Sequence, residues 1–520
     1  MAAQQVRHDI NPVFDGRSRV LLLGTMPSPA SREAGFFYGH PRNRFWRVLA
    51  AIFDEPVPRS VADKRDLLAR RRIALWDVLA SCAIEGASDA SIADPEPNDI
   101  GRILNTAQIE AVLCTGAKAG ELYRKLVEPQ AGMACEVLPS TSPANAKMSL
   151  DDLTRAYRAA LMPHLEASAF EPPALDVPDV VRLEQAIAGG GTSLRTLMDR
   201  AGRWVAKAVL DEWAARRDGG AYARSEEKEP LRKGAEDGRA AGTCDGPNGS
   251  GKPKPNGFDG SGPNASDGSR GPLSRAQGLP PRVTVLCGAG NNGGDGWVAA
   301  CELARAGAEV ALVTPRAAAD ISAEPAREAA LEAADALAGG CIVVSPDASE
   351  LASLLGGSDA IVDAMLGTGF SGDAVREPFA SWIRAANAAR ASGAFTVAAD
   401  VPSGLSAQTG RAAEPCMKAD VTVTMLAPKP GLVTPYAFAF CGRVRTAPIA
   451  DIEPILSAWA TRTASQPNER AHAASSGEPS PAAGPRGEFL RAEAEDDDGY
   501  DPYSDRPPAP EPLFQRDPWD

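Results

Sequence analysis

Two groups of side chains in this sequence have the types and spacing to do chemistry. The first centres on Gly35–Trp46, GFFYGHPRNRFW, where aromatic rings surround His40, Arg42, Arg44 and one carboxamide, Asn43. Two loops of matching character stand far apart along the chain: Gly24-Thr-Met-Pro-Ser-Pro-Ala-Ser31 and Leu138-Pro-Ser-Thr-Ser-Pro-Ala-Asn145. Both are small, stiffened by proline and rich in hydroxyls and amides, which suits contact with a phosphate backbone or a polar ring. A carboxamide among aromatics, between two such loops, describes a pocket for a flat, polar, uncharged ring.

The second group begins with Val285–Gly296, VLCGAGNNGGDG, a formal G-x-G-x-x-G at Gly288, Gly290 and Gly293 that follows an apolar run and opens a helical pattern. The loop is crowded with Asn291, Asn292 and Asp295. Val362–Phe370 (VDAMLGTGF) and Ala399–Gly404 (ADVPSG) also follow strand-like runs and bring in Asp363, Asp400 and Ser403. Oxygen-only donors from Asn292, Asp363 and Ser403 suit a hard monovalent or divalent cation, not zinc. The next strand ends in Arg316 where a dehydrogenase would carry an acidic residue for the ribose. Taken singly, a ring before a helix is core and an Asp after a strand is an N-cap. Only the joint patterns point to sites.

The elements that must position these residues are α/β throughout. Arg19–Gly24 and Glu110–Cys114 are short apolar runs stopped by glycine or followed by a helical pattern, as buried parallel strands are. A final amphipathic helix is expected over Leu153–Leu165. Strands alternating with helices predict a three-layer α/β domain over 1–170. A second block, 174–457, opens with two helical stretches and continues with β-like runs at Val283–Leu286, Ala308–Val313, Ile342–Val344, Ala360–Asp363, Thr396–Ala399 and Val421–Met425. That is a doubly wound, Rossmann-like pattern. The leading helices lack a core of their own and are assigned to this block. Residues 218–281, rich in Gly, Pro, Asp, Asn and Ser, are then a disordered insertion, and 458–520 a disordered acidic tail.

Composition sets the outer limits. With 520 residues the chain is long enough for two to four domains, and its net charge of -14 excludes a protein that coats nucleic acid along its whole surface. A local basic patch remains allowed, because charge is screened over about 10 Å; Arg42, Arg44, Arg47, Arg70, Arg71 and Arg72 are its candidates. The nine cysteines form no C-x-x-C pair, so a zinc ribbon or iron–sulfur cluster is not expected. The N-terminus has no apolar targeting core, and no run approaches the roughly 18 apolar residues of a membrane span. A cytoplasmic location without a membrane partner is the expectation.

GTMPSPAS, FYGHPRNRFW and LPSTSPANA, in this order, resemble the hypoxanthine-DNA glycosylase branch of the uracil-DNA glycosylase superfamily. The resemblance implies excision of hypoxanthine, with uracil as a second base, from DNA by hydrolysis of the N-glycosidic bond, with no cofactor. It places the catalytic residue at Asn43, whose neutral amide would orient the attacking water and face the forming cation, so that catalysis rests on positioning and electrostatics; it places base or DNA contacts at Gly24, Ser28, Phe37, Tyr38, Ser140, Ser142 and Asn145. Phe36, Phe37 and Tyr38 are candidates for the stacking face of a flipped base.

NNGGDG, VDAMLGTGF, DVPSGL and the later ADVTVTM with PKPG closely resemble NAD(P)H-hydrate epimerase, whose members interconvert the two epimers of hydrated NADH and NADPH. The resemblance implies substrate contacts at Asn291, Asn292, Gly293, Gly294 and Asp295, at Gly367, Thr368, Gly369, Phe370, Ser371, Gly372 and Asp373, and at Asp400. It implies potassium at Asn292, Asp363 and Ser403. Asp363 and Asp400 are both candidates for the acid/base, with no assignment between them. The dehydratase domain that often accompanies this epimerase is absent from the sequence, which implies a separate ATP/ADP-dependent dehydratase. A homodimer is one assembly the resemblance admits. The competing expectation is that the second block is a non-catalytic scaffold or an ordinary dinucleotide-binding domain attached to the first.

Overall fold

The computed structural model describes residues 4–86, 89–166, 169–226, 279–337 and 342–465. Most of the expected insertion and tail lie outside these residues. Within them, the chain continues as the Leu194–Glu226 helix beyond residue 218, and the Glu453–Ser465 helix runs past residue 458.

The first half is built on a four-stranded parallel sheet whose order is Ile73–Asp77, Val20–Gly24, Ala111–Thr115, Cys135–Leu138. VLLLG and IALWD are buried along their whole length, as strands covered on both faces must be. The pairing puts Gly24 directly opposite Asp77 at the carboxyl end. The helices Phe45–Phe53 and Leu150–Leu165 pack on one another. A separate antiparallel sheet, with Leu79–Ile84 between Gln4–Arg7 and Ala93–Pro97, was not foreseen in the sequence. Its strands are short, partly exposed and without clean alternation.

The second half is a seven-stranded, all-parallel sheet. From one edge it runs Ile342–Val344, Glu309–Thr314, Arg282–Cys287, Ala360–Ala364, Phe395–Ala399, Val421–Met425, Arg443–Ala447. The order reverses between Arg282–Cys287 and Ala360–Ala364, and a doubly wound sheet binds its ligand at that switch point. The helices Val177–Gly189 and Leu194–Glu226 join this core through Leu183, Ile187, Leu197, Met198 and Val205.

The halves meet through buried charge. Asp63, near the start of the Val61–Arg70 helix, takes Arg200 Nε at 2.9 Å and Arg203 Nη1 at 2.9 Å. The same carboxylate closes the capping box with Ser60. Arg200 also donates to the carbonyl of Ile449 at 2.7 Å, and the N–H of Asp451 donates to Asp66 at 3.0 Å. Arg70 and Arg71 turn onto the buried Glu55, and Arg72 onto Glu453. These three arginines are therefore spent on the fold and its interface. Their expected place in a DNA-facing patch is corrected, because three carboxylates within reach outcompete solvent for them.

Burial pushes the Asp63 carboxyl up, but the hydrogen bonds and charges of Arg203 and Arg200 outweigh it and hold the group well below the usual carboxylate range. A depressed folded-state value means stability that is fully present above an unfolded value of about 3.9 and is lost as pH falls towards the folded one. Asp63→Ala strands two buried guanidinium groups and is expected to cost about 3–5 kcal/mol. Urea unfolding of the full chain at neutral pH checks this, and the gap between wild type and variant should narrow below about pH 4.

Candidate functional site

A cavity of about 170 Å³ opens at the carboxyl end of the four-stranded sheet. At about 30 Å³ per water it holds the volume of roughly six waters, enough for a single heterocyclic base. Gly24, Ser28, Phe37, Tyr38, Asn43, Ser140 and Ser142 all line it, so the structure gathers these expected residues into one place. Asn145 is the exception: its Nδ2 donates to the carbonyl of Ser140 at 2.9 Å, which braces the loop from within. Phe36 is a core residue, stacked on Trp46 at 6.0 Å and 1% exposed. Arg44 donates to the carbonyls of Ser142, Asn145 and Met148, so it clamps the loop; Arg42 and Arg47 remain exposed.

Tyr38 is held in the left-handed region at φ 52°, which a bulky residue adopts only where its surroundings hold it. Its ring stacks on Phe45 at 3.8 Å, and its hydroxyl pairs with Thr115 Oγ1 at 2.7 Å. Asn43 is fixed just as firmly. The N–H of Phe45 and the hydroxyl of Thr141 both donate to Asn43 Oδ1, each at 2.9 Å. A backbone N–H can only donate, so this oxygen is assigned by its partners. The fold uses the acceptor of the amide, and Nδ2 is what Asn43 offers to a ligand.

The motif reading missed Asp77. It is 5% exposed and lines the same cavity. A β-carbon built on Gly24 would lie 2.0 Å from Asp77 Oδ1 and 3.4 Å from Tyr38 Oη, so glycine is what lets the carboxylate into the pocket.

At the switch point of the seven-stranded sheet three loops lock together. Gly288 and Gly293 permit the close turn: a β-carbon on either would fall 2.0 Å from a backbone carbonyl oxygen, Met365 for one and Gly288 for the other. Asn292 Nδ2 donates to the carbonyl of Leu366 at 3.1 Å, and Gly367 packs against the Asn292 side chain. The N–H and hydroxyl of Ser403 donate to Asp363 at 2.7 and 2.6 Å, and the N–H of Leu366 donates to Ser403 Oγ at 2.9 Å. Burial outweighs these hydrogen bonds and pushes the Asp363 carboxyl up to about 6. Gly293 and Gly294 are buried within the loop. Gly367 and Thr368 are half-buried and Phe370 is buried, while Ser371, Gly372 and Asp373 are exposed, with Asp373 paired to Arg411.

Asp400, at φ 60°, accepts from Thr424 Oγ1 at 3.1 Å, from the N–H of Met425 at 3.0 Å and from the fully buried Lys429. Lys429 belongs to the PKPG run, whose role the sequence did not disclose. Burial pushes Asp295 well above the usual carboxylate range, and the charge of Asp400 adds to the shift. Asp400, by contrast, is bound by a buried lysine.

Asn292 Oδ1 is buried without a hydrogen-bond partner, while its Nδ2 is bound to the carbonyl of Leu366, the residue whose N–H bonds the Ser403 hydroxyl that holds Asp363. An orphaned carbonyl oxygen beside a buried carboxylate fits a hard cation of low charge. Beside Leu366 and Phe370 lies a further cavity of about 330 Å³, lined also by Arg316, Ser345 and Arg376.

Known proteins match both halves. The Uracil DNA glycosylase superfamily matches residues 12–166, and the YjeF-related protein N-terminus family matches residues 194–431. A hypoxanthine DNA glycosylase of Methanosarcina acetivorans is 34% identical over 146 residues, 28% of this chain and 91% of that protein. An NAD(P)H-hydrate epimerase of Rhodopirellula baltica is 38% identical over 177 residues, 34% of this chain and 69% of that protein. A bifunctional NAD(P)H-hydrate repair enzyme of Moorella thermoacetica is 38% identical over 172 residues, 32% of this chain, but the match spans only 31% of that protein.

The close turn at the switch point gives a structural check. Gly293→Ala forces a β-carbon against the carbonyl of Gly288 and is expected to cost about 1–3 kcal/mol. Denaturant unfolding measures that loss, and Gly307→Ala, at φ 91° with no atom nearby, separates it from backbone strain alone.

Proposed function

The chain belongs to the uracil-DNA glycosylase superfamily through its first half and to the NAD(P)H-hydrate epimerases through its second, and from that premise we propose a repair enzyme with two separate reactions. The first half excises hypoxanthine from deoxyinosine in DNA. The second interconverts the R and S epimers of hydrated NADH and NADPH, and a separate dehydratase consumes the product.

For the first reaction the supporting observation is Asn43, held in a base-sized cavity with its acceptor committed to the fold. The C1′–N9 bond breaks with its electron pair leaving on the purine, water adds through its oxygen to C1′ of the oxocarbenium-like sugar, and the proton it loses ends on the purine anion. Asn43 Nδ2 donates to the departing base, where negative charge develops. This revises the sequence expectation that the amide orients the water. The flipped base lies beside Phe37 and Tyr38, and Ser140 and Ser142 face the adjoining backbone. Asn43→Ala is expected to lower single-turnover cleavage of a deoxyinosine duplex by about 10²–10³-fold. A rate equal to wild type in folded variant would remove Asn43 from the chemistry.

For the second reaction the supporting observation is the difference in surroundings between Asp295, whose carboxyl burial pushes up, and Asp400, whose carboxylate the buried Lys429 binds; a carboxyl pushed up is suited to serve as the acid. Asp295 gives its proton to the ring hydroxyl as the C–O bond breaks, and the ring nitrogen lone pair forms the C=N bond. The released water re-adds to the opposite face of the planar ring and returns a proton to the carboxylate pair. Asp363, saturated by Ser403, serves the cation site instead. Asn292 Oδ1, Asp363 and Ser403 would hold potassium, which when bound supplies positive charge beside the buried carboxylate. Asn292→Ala is expected to raise the potassium concentration for half-maximal epimerisation by about 10–100-fold. An unchanged potassium requirement would take Asn292 out of that site.

A further inference from the structure

The carboxylate of Asp77 has no role in the chemistry above, yet the fold spends much to place it. It ends a fully buried strand, opposite Gly24, whose missing side chain leaves room for Oδ1. Its other oxygen, Oδ2, is 2.9 Å from His8 Nε2, and the His8 side chain is 0% exposed. The tautomer of His8 follows from its other nitrogen. The N–H of Ile10 donates to His8 Nδ1 at 3.2 Å, so Nδ1 is an acceptor and the proton of a neutral ring sits on Nε2, facing Asp77. Phe37 and Trp76 flank the ring at 6.1 and 6.3 Å. The other carboxylate of the cavity, Asp89, is exposed and bound to the Thr25 hydroxyl at 3.2 Å.

The cavity therefore presents a fixed acceptor, Asp77 Oδ1, and a fixed donor, Asn43 Nδ2. Deamination of adenine makes the complementary change in the base: N1 turns from an acceptor into an N–H donor, and the amino group on C6 turns into a carbonyl acceptor. Resting on the glycosylase reading, we propose that Asp77, clamped by His8, reads the lactam N–H of the flipped base while Asn43 takes its carbonyl oxygen. The pocket then accepts the class of bases with an N–H beside a carbonyl, hypoxanthine and uracil among them. It rejects adenine, which would set a ring lone pair against a carboxylate and an amino group against an amide N–H. A site built to bond a substrate N–H discriminates far more sharply than a hydrophobic one, because the analogue leaves a buried polar group unpaired.

Duplexes with one deoxyinosine or one 2′-deoxynebularine separate this role from a merely structural one. Nebularine lacks both the N1–H and the C6 carbonyl and is smaller, so size cannot exclude it. Full-length wild type is expected to excise hypoxanthine at least about 100-fold faster than the nebularine base in single turnover. Asp77→Asn keeps the shape but offers an amide, so hypoxanthine excision should fall about 100-fold while the nebularine rate changes less than about threefold. Equal losses on both substrates, or full activity on deoxyinosine, would overturn the assignment. If Asp77→Asn does not fold, His8→Phe keeps the carboxylate unclamped and should narrow the preference at least about fivefold; an unchanged preference there overturns it too. Wild type that excises neither base would instead sink the glycosylase reading itself.

Discussion

Four parallel strands in one half and seven in the other leave little freedom about where chemistry can sit. Strands covered on both faces are apolar along their length, and their main-chain groups are consumed by the ladder. A polar side chain can enter only where a strand stops. Asp77, Asp363 and Asp400 each stand at such a stop, and the loops that begin there carry Gly24, the asparagines and Ser403. The glycines follow from the same constraint. Gly24, Gly288 and Gly293 let backbone or carboxylate come within 2.0 Å of where a side chain would start. Tyr38 and Asp400 take the left-handed backbone that turns their side chains into place.

Within this frame the carboxylates divide by their partners. Glu55 and Asp63 are surrounded by guanidinium groups and serve the fold, the second of them bridging the two halves. Asp77 has a buried histidine, Asp363 a serine, and Asp400 a buried lysine. Burial pushes the Asp295 carboxyl well above the usual carboxylate range, and the charge of Lys429 offsets this only in part. Similar side chains are thus set to different tasks by what lies within about 3 Å. The ion pairs at the interface join the two halves without drawing on the residues of either site.

Much of this was legible before any coordinates. Local motifs exposed Asn43, the two serine loops and the glycine-rich turn, because their spacing is itself the signal. The Rossmann-like order followed from regular apolar runs. Asp77 escaped notice because it is one acidic residue at the end of a five-residue strand that itself went unread, and its partner lies 69 positions away. Lys429 was visible only as part of PKPG, since its meaning depends on Asp400, 29 positions away. The arginines at 70–72 misled because sequence shows a charge but not the direction it points. The short antiparallel strands near the N-terminus carry too weak a pattern to be read from one sequence.

The central claim is that one chain holds two active sites that work independently. The most direct measurement assays both reactions, base excision and epimerisation of hydrated NADPH, on single preparations of the full chain carrying Asn43→Ala or Asp363→Ala. Distant sites without shared partners should not couple, so each substitution is expected to abolish one reaction and leave the other within about twofold of wild type. A preparation in which either reaction is missing from the wild-type chain, or a single substitution that removes both, would contradict it.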